Sequence, residues 1–291
     1  MNFNPGEQIY VQESAIEKEK REKREAIART TVYINAGGRG TRLEPVFPKG
    51  QFGVTKALID FAGKPMVQNH VDLITELGFK NVVVGAGDHY DVTEYFQGKE
   101  NDKVSIVNTE TQEDTAGDLI KSIRELENIG DNVLVENVDT VALIKDLGEL
   151  ILQHEKSGAE ATIVLTTKAG VPNEGAFYVD NDDKVVFCGE AREELRLAMP
   201  ENWEGFKGSS TGIVLISKQT LKNYNWNSGE GALSLYRDLI PQLVKEGKMH
   251  AYNNEKNIFT DTGTPEKYKQ IKRHEKSIFG AIEKKYKDQI S

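Results

Sequence analysis

The chain has 291 residues, a length that allows one large α/β domain or two small ones. Its composition, 38% hydrophobic residues with 26 glycines, excludes a disordered or collagen-like chain. Its 37 basic and 46 acidic residues give a net charge of −9, which argues against a general binder of nucleic acid or of anionic membranes, because both classes need a basic surface. The single cysteine, Cys188, excludes an internal disulfide, and with five scattered histidines it forms no zinc-site pattern. We find no apolar run of roughly 18 residues and no N-terminal signal core, which predicts a cytoplasmic protein.

Residues 1–30 differ in composition from the rest and predict a charged N-terminal helical extension. Nine consecutive charged residues run from Glu17 to Glu25, and Ser14 and Glu17 have the spacing of a capping box. Opposite charges four residues apart, such as Glu17 and Arg21, stabilise a helix in water. We expect a solvated helix that is not part of the core; an arm that binds a partner or a second copy of the chain is the alternative.

From residue 31 onward, short β-branched runs alternate with helical patterns, which predicts a parallel, doubly wound α/β sheet. Helices are expected after Pro65 and from about Asp146 to Ser157. The runs predicted to form strands are Thr31–Ile34, Asn81–Val84, Val104–Val107, Asn132–Val135 and Ala161–Leu165.

Beyond about residue 170 the pattern indicates added antiparallel strands. The runs Gly175–Val179 and Lys184–Cys188 flank the turn-forming residues 180–183, which predicts a hairpin. The remaining expected elements are a strand at Thr211–Ile216, a helix at Leu233–Gly247 and a charged C-terminal helix from Pro265 to about Ile290.

A glycine-rich segment, Asn35–Leu43, directly follows the first predicted strand. Ligands bind at the carboxyl ends of such strands, and glycines let backbone N–H groups close around a phosphate. Arg39 and Arg42 add positive charge to the same loop. Leu43 stands where a dinucleotide-binding fingerprint needs its third glycine, and no P-loop pattern occurs in the chain. The loop is predicted to bind a triphosphate; glycines that serve only a tight turn are the alternative.

The motif Gly37-Gly38-x-Gly40-Thr41-Arg42-Leu43-x-Pro45, with Gly63-Lys64-Pro65-Met66 opening a helix, resembles the sugar-1-phosphate nucleotidyltransferases over roughly residues 31–268. The resemblance implies a glycosyltransferase-A-like fold, with a mixed, mainly parallel sheet and a β-rich acceptor region. The nucleotide would bind to about 31–170 and the sugar to about 171–262, with a C-terminal helix at 269–291. It also implies transfer of a nucleoside monophosphate from a triphosphate to a sugar 1-phosphate, giving a nucleotide sugar and pyrophosphate.

The same resemblance assigns the phosphate contacts. Arg42 would hold the β- and γ-phosphates, and Lys56 would contact the α-phosphate; Lys49 is a competing match for that lysine. Contacts from the glycine loop to the nucleotide are expected from Ala36, Gly37, Gly38, Gly40 and Thr41.

By resemblance, Asp139 and Asp261 would hold magnesium. Asp139 ends an apolar run where the family has a metal-binding Gly-Asp pair, and Asp261 begins the family's D-x-G-T-P element. Magnesium takes oxygen ligands, usually one or two carboxylates with phosphate oxygens and water. Val138 replaces the family's glycine before Asp139, and we expect its side chain to crowd the nucleotide side.

The base would be bound where the family has G-T-A-G and this chain has Asp114-Thr115-Ala116-Gly117. A carboxylate at Asp114 can accept from the N1–H and N2–H₂ edge of guanine and repels the O2/O4 edges of thymine and uracil, which favours GTP. Gln112 is a second candidate for the base. An ordinary helix N-cap is the alternative for Asp114.

The resemblance places the sugar phosphate at Gly175, Glu190 and Thr211. Glu190 falls where the family has an E-K-P element, but Ala191 and Arg192 follow it in place of lysine and proline. The lysine that contacts the sugar phosphate in the family is therefore missing, and Arg192 or Lys207 would substitute for it. The identity of the acceptor is therefore open.

Two other functions remain open on the sequence. The altered Glu190 element allows transfer to a non-sugar phosphate such as phosphocholine. Val138 and Asp114 allow a nucleotide-binding regulatory protein without turnover, although retention of Asp139 and Asp261 argues against it. By resemblance we also expect a homodimer. The net charge of −9 predicts that neither nucleic acid nor a membrane is a partner.

Overall fold

The structure is a computed structural model of the chain. It describes residues 13–38, 40–46, 55–99, 101–109, 114–166, 176–201, 203, 205–226, 231–255 and 259–290. Four residues singled out in the sequence, Arg39, Lys49, Gln112 and Gly175, lie outside the described residues.

The described strands are β1 Thr30–Asn35, β2 Asp60–Phe61, β3 Lys64–Pro65, β4 Asn81–Gly87, β5 Val104–Asn108, β6 Asn132–Asn137, β7 Thr140–Ala142, β8 Ala161–Thr166, β9 Ala176–Val179, β10 Val185–Cys188, β11 Phe206–Ser217, β12 Met249–Asn253 and β13 Phe259–Asp261. The described α-helices are α1 Ala15–Ala28, α2 Met66–Glu76, α3 Tyr90–Phe96, α4 Asp114–Glu125, α5 Leu147–Ser157, α6 Lys218–Asn223, α7 Ile240–Lys245, α8 Pro265–Lys272 and α9 Glu275–Ile290. Short 3₁₀ turns lie at Thr41–Val46, Lys56–Leu58 and Glu193–Leu195, and a π-helical turn at Leu235–Leu239.

A mixed central sheet organises the molecule, as the sequence predicts. Its parallel half has the order β5-β4-β1-β6, and all five predicted β-branched runs form strands of the sheet. β11 then joins β6, β8 and β9 in antiparallel pairs, and β12 runs parallel to β8. The expected hairpin forms between β9 and β10. Strands such as Val82–Val84 are buried on both sides because helices cover both faces of the sheet.

Two hydrophobic cores lie on opposite faces of this sheet. The first core contains side chains of α2 and α5 together with β1 residues that face them, such as Ile34. The second core contains side chains of α4 and α7 together with β1 residues on the opposite face, such as Tyr33. Since successive strand residues point to opposite faces, β1 contributes to both cores. The buried strands are thereby anchored by side-chain packing on both faces of the sheet.

The N-terminal helix α1 is capped as predicted but is docked on the body. Ser14 and Glu17 form both hydrogen bonds of a capping box. The last turn belongs to the core, because Ala26 and Ile27 are buried, and Lys23 Nζ lies 2.7 Å from Asp146 Oδ2 at the start of α5. The sequence expectation of a solvated helix outside the core is therefore wrong for the C-terminal end of α1.

The C-terminal part also differs from the expected single helix. It forms α8 and α9, which break at residues 273–274, and the expected helix at Leu233–Gly247 begins as the π-helical turn before α7. The hydroxyl of Tyr286 on α9 accepts from Ile144 N at 2.8 Å, and the Gln289 amide group binds Leu147 N and Ile144 O. Side chains of α9 thus form hydrogen bonds with backbone groups between β7 and the start of α5. In the described part of the chain, none of the helices is both long and apolar enough to cross a bilayer.

One buried histidine connects α5 to the sheet. His154 is 2% exposed, and its Nδ1 lies 2.9 Å from Thr162 Oγ1 on β8. Burial lowers the pKa of this imidazole from 6.5 to about 4, so it is neutral near pH 7. The charged form is disfavoured because the interior solvates it poorly.

His154 predicts a specific loss of stability in mild acid. The unfolded chain takes up a proton here near pH 6.5 and the folded chain only near pH 4, so the stability present above pH 6.5 is lost as the pH falls toward 4. The loss amounts to about 3 kcal/mol. His154→Asn keeps an amide at the Nδ1 position and does not titrate. Urea unfolding at pH 7 and pH 4.5 should show a smaller drop for the variant; equal drops would contradict this assignment.

Candidate active site

A cleft opens at the carboxyl ends of β1, β4 and β6, where a doubly wound sheet binds its ligands. Its cavity volume of about 520 Å³ is in the range of small-molecule sites. The described residues that line it are Asn35, Gly37, Gly38, Arg42, Lys56, Gly87, Asp88, Asp114, Thr115, Asp118, Asn137, Asp139, Ala232 and Tyr236. Arg42, Lys56, Asp139, Asp114 and Thr115, all singled out in the sequence, therefore share one cleft.

The glycine loop lies directly against Lys56. A Cβ on Gly38 would lie 2.9 Å from Lys56 Cε, and one on Gly40 would lie 2.8 Å from Lys56 Cβ. Gly40 also has φ +63°, which favours glycine. Of the two competing lysines, Lys56 thus stands in the cleft, while Lys49 lies outside the described residues. Ala36, the first residue of the loop, is buried, and its N–H donates to Gly85 O at 2.9 Å.

Sheet pairing brings the two predicted metal carboxylates together. Asp139 lies in the turn between β6 and β7, and β13, which ends at Asp261, pairs antiparallel with β7. The position of a Cβ on Gly263 would be 3.1 Å from Asp261 Oδ1, 3.3 Å from Asp139 Oδ2 and 3.7 Å from Arg42 Nη2. Two acidic groups distant in sequence and one guanidinium therefore converge on one point.

Each of these two carboxylates forms an ion pair with a different lysine. Lys56 Nζ lies 2.9 Å from Asp139 Oδ2, and Lys267 on α8 pairs with Asp261. Among the described residues there is no cluster of three or more His, Cys, Asp or Glu side chains that could hold a metal. Two carboxylates that converge on one point still fit magnesium, because this ion usually completes its shell with phosphate oxygens and water.

Buried neighbours hold the backbone around Asp139. Val138 is 0% exposed and belongs to the core, and its N–H donates to Asn35 O at 3.2 Å. Asp139 O accepts from Thr262 N at 2.9 Å. The expectation that Val138 crowds the nucleotide side is therefore wrong, because its side chain points into the core and leaves the cleft open.

A buried pair that the sequence did not suggest lies behind this turn. His70 Nδ1 on α2 lies 2.7 Å from Glu136 Oε1 on β6, and both side chains are largely buried. Burial opposes a charge on the imidazole, but Glu136 outweighs it and raises the pKa of His70. Neither residue belongs to a recognisable motif, because the pairing depends on how α2 packs on the sheet.

The first turn of α4 lies at one end of the cleft. Asp114 has φ +60°, which is the left-handed conformation. Glycine, the family's residue at this position, adopts this conformation readily, and aspartate tolerates it. Its Oδ1 accepts from Thr115 N at 2.6 Å, and its Oδ2 lies 3.5 Å from Arg237 Nη2. Thr115 Oγ1 accepts from Leu235 N at 2.8 Å. The carboxylate of Asp114 thus stands at the rim of the cleft.

Ala116 is placed differently from Asp114 and Thr115. It is 0% exposed, and its N–H and that of Gly117 donate to Leu233 O at 2.9 and 3.1 Å. The carbonyl of Leu233, just before the π-helical turn, therefore occupies the two N–H groups of Ala116 and Gly117, which a nucleotide could otherwise bind. Leu233 is distant in sequence, so no local pattern indicated the contact.

The predicted acceptor residues are spread over the antiparallel half of the sheet. Thr211 is buried, and its hydroxyl donates to Val164 O at 2.9 Å; Glu190 is exposed after β10. Arg192 Nε lies 2.5 Å from Asp238 Oδ1, and Lys207 Nζ lies 5.3 Å from the ring centre of Tyr178. The structure does not bring Thr211 and Glu190 into the lining of the cleft.

Tyr236 and two asparagines line the cleft without having been predicted. Burial raises the pKa of Tyr236 to about 12, so its hydroxyl is neutral, and this hydroxyl lies 3.4 Å from Ser210 Oγ. Asn35 Nδ2 donates to Asn137 Oδ1 at 3.3 Å across the ends of β1 and β6. Asparagines at the carboxyl ends of two neighbouring parallel strands were the available signal for this pair.

The structure is that of an α/β protein with a ligand-sized cleft at the carboxyl ends of its strands, beside a glycine loop and two facing carboxylates. Residues 32–223 match the MobA-like NTP transferase domain, and the chain belongs to that family.

Curated relatives extend the comparison. The chain is 27% identical over 240 residues to "Probable mannose-1-phosphate guanylyltransferase 2" of Oryza sativa subsp. japonica, covering 81% of this chain and 62% of the relative. It is 26% identical over 241 residues to "Mannose-1-phosphate guanyltransferase" of Gibberella zeae, covering 81% and 61%. The chain thus spans about three-fifths of the length of these relatives.

Two solved structures illustrate the fold that this chain shares. The inositol-1-phosphate CTP transferase from T. maritima aligns with a TM-score of 0.61 at 15% identity, over 91% of this chain and 98% of that one. HddC from Yersinia pseudotuberculosis, complexed with GMP-PN, aligns with a TM-score of 0.60 at 20% identity, over 83% and 97%. These similarities establish the nucleotide-diphospho-sugar transferase-like fold predicted from the sequence.

Proposed function

We propose that this protein transfers a nucleoside monophosphate from a nucleoside triphosphate to a sugar 1-phosphate, with magnesium bound by Asp139 and Asp261. The observation that carries the proposal is the convergence of Arg42 and both carboxylates within 3.7 Å of one point, beside the glycine loop. Membership of the NTP transferase family and relatives named mannose-1-phosphate guanylyltransferase support the same chemistry.

The reaction requires charge neutralisation and alignment more than covalent chemistry. The glycine loop offers backbone N–H groups to the phosphates, Lys56 holds the α-phosphate, and Arg42 holds the β- and γ-phosphates. Magnesium, when bound, neutralises phosphate charge as a Lewis acid. A phosphate oxygen of the acceptor attacks the α-phosphorus, and the bond to the bridging oxygen breaks, so that pyrophosphate leaves with that electron pair.

Direct displacement fits the state of the only cysteine. Cys188 is 3% exposed, and burial raises the pKa of its thiol to about 12. A protonated, buried thiol is a poor nucleophile. We therefore propose a single transfer step without a covalent enzyme intermediate.

GTP is the proposed nucleotide, and mannose 1-phosphate the first acceptor to test. Asp114 presents an acceptor-only carboxylate at the rim of the cleft, which suits the N1–H and N2–H₂ donors of guanine. The names of the curated relatives support both choices. We extend them to this chain as a proposal because the chain covers only 62% and 61% of those proteins.

Asp114→Gly tests the base assignment without straining the fold. Glycine adopts the φ of +60° at this position more easily than aspartate. We expect the ratio of kcat/KM for GTP over UTP to fall about tenfold, the value of a lost charged hydrogen bond. Asp183→Gly is the matched control, because Asp183 has φ +61° in the β9–β10 turn and lies outside the cleft lining. An unchanged ratio in Asp114→Gly would refute a role in base selection.

Pyrophosphate release tests the reaction itself. GTP, dTTP, UTP, CTP and ATP are each supplied with magnesium and with mannose, glucose, galactose, heptose or amino-sugar 1-phosphates. The proposal predicts release that requires both substrates and is fastest with GTP. Phosphocholine is supplied in a parallel reaction, and release with that acceptor alone would move the function to a non-sugar acceptor. Nucleotide binding without any release would favour the regulatory alternative.

A further inference from the structure

The end of the cleft beside Arg42 already carries two acidic side chains. Asp139 lies in the cleft lining and Asp261 stands close by, both near Arg42. A nucleoside triphosphate would add further negative charge there. Bound magnesium offsets part of this charge, yet the arrangement favours another cation near the β- and γ-phosphates.

Lys267 is positioned to supply that cation. It lies in the first turn of α8, where Thr264 caps the helix by accepting from Lys267 N, and its ammonium pairs with Asp261. Helix α8 packs against the 3₁₀ turn that contains Arg42. Lys267 is therefore on the side of the cleft where Arg42 is proposed to hold the β- and γ-phosphates.

Helix stability does not explain a lysine at this position. The N-terminus of a helix carries partial positive charge, which favours acidic residues and disfavours lysine in the first turn. The Lys267 side chain is also 51% exposed, and exposed ion pairs contribute little to stability. We therefore explain Lys267 by the negative charge that its ammonium group faces, which includes Asp261.

We infer that Lys267 is a phosphate-binding residue that acts with Arg42 to hold the β- and γ-phosphates and the leaving pyrophosphate. The inference rests on the proposed function and extends it to a residue outside the motifs. As the acceptor oxygen bonds to the α-phosphorus, the bond to the bridging oxygen breaks and its electron pair stays on the diphosphate. The diphosphate thereby gains one negative charge, which the Lys267 ammonium stabilises.

Binding of inorganic pyrophosphate to the full chain tests this inference without turnover. Calorimetry in magnesium buffer compares the wild type with Lys267→Met and with Lys269→Met, which removes an exposed lysine from the same helix. We expect Lys267→Met to weaken pyrophosphate binding about tenfold, the value of one charge-assisted contact, and to leave mannose 1-phosphate binding unchanged. Lys269→Met should bind both probes like the wild type, and Lys267→Arg should retain most of the pyrophosphate affinity.

The outcomes separate this inference from the proposed function. If Lys267→Met binds pyrophosphate within about twofold of the wild type, Lys267 does not hold it. If pyrophosphate and mannose 1-phosphate weaken equally, Lys267 only positions Asp261, and the inference is wrong. If the wild type fails to bind pyrophosphate, the inference also falls. If Lys267 controls pyrophosphate affinity but no acceptor yields product, the phosphate site stands and the proposed reaction falls.

Discussion

Asp139→Asn and Asp261→Asn should each reduce nucleotidyl transfer by about 10³-fold or more. The two carboxylates converge on one point beside Arg42, and removing either one removes a proposed magnesium ligand. A bound metal ion contributes several kcal/mol of charge stabilisation in the transition state, which converts to that factor in rate. The measurement is steady-state kcat/KM at saturating magnesium, together with the affinity for Mn²⁺ as a readout that does not depend on turnover.

Asp72→Asn is the matched control for this loss. Asp72 pairs with Lys64 at 2.6 Å on the outer side of α2, as Asp139 pairs with Lys56, but it lies outside the cleft lining. We expect the control to retain wild-type kcat/KM. Thermal unfolding of all variants distinguishes a damaged site from a damaged fold. Wild-type turnover in Asp139→Asn or in Asp261→Asn would end the metal assignment for that residue.

Arg42→Ala should reduce kcat/KM by at least about 10²-fold. Its Nη2 lies 3.7 Å from the point on which both carboxylates converge, so the guanidinium can reach phosphate oxygens bound there. Removing one preorganised electrostatic contact to developing charge costs about this factor. Arg42→Lys should recover only part of the loss, because an ammonium cannot donate through a planar fork to two phosphate oxygens.

Arg24→Ala controls for the loss of an arginine as such. Arg24 is exposed on α1, far from the cleft lining. Its removal should leave kcat/KM and the unfolding temperature unchanged. Arg42→Ala should also leave the unfolding temperature unchanged, because Arg42 is exposed. If kcat/KM of Arg42→Ala stayed within about fivefold of the wild-type value, Arg42 would not stabilise the transition state.

Local sequence patterns predicted the sheet and the glycine loop because both depend on short-range physics. Runs such as Asn81–Val84 are rich in β-branched residues and buried, and α5 lies between its N-cap Asp146 and its left-handed C-cap Gly158, close to the expected bounds. Motifs singled out Asp139 and Asp261 in the sequence, and the pairing of β7 with β13 explains why residues so distant in sequence lie together.

Contacts between distant segments were not predictable in the same way. The docking of α1 depends on Lys23 meeting Asp146, and the burial of the α4 N-terminus depends on the carbonyl of Leu233. Tyr236 and Lys267 belong to no motif, since their placement follows from the packing of the π-helical turn and of α8. Val138 shows the limit of motif comparison: the substitution was visible, but only the structure shows its side chain in the core.

The most direct test of nucleotidyl transfer is ³¹P NMR of GTP and mannose 1-phosphate incubated with the protein and magnesium. The account predicts that the mannose 1-phosphate signal disappears, that two coupled diphosphate resonances of a nucleotide sugar appear, and that one equivalent of pyrophosphate forms per product. Asp139→Asn should leave the spectrum of the substrates unchanged. Formation of GDP and orthophosphate with mannose 1-phosphate intact would show hydrolysis of the γ-phosphate and would contradict transfer at the α-phosphorus.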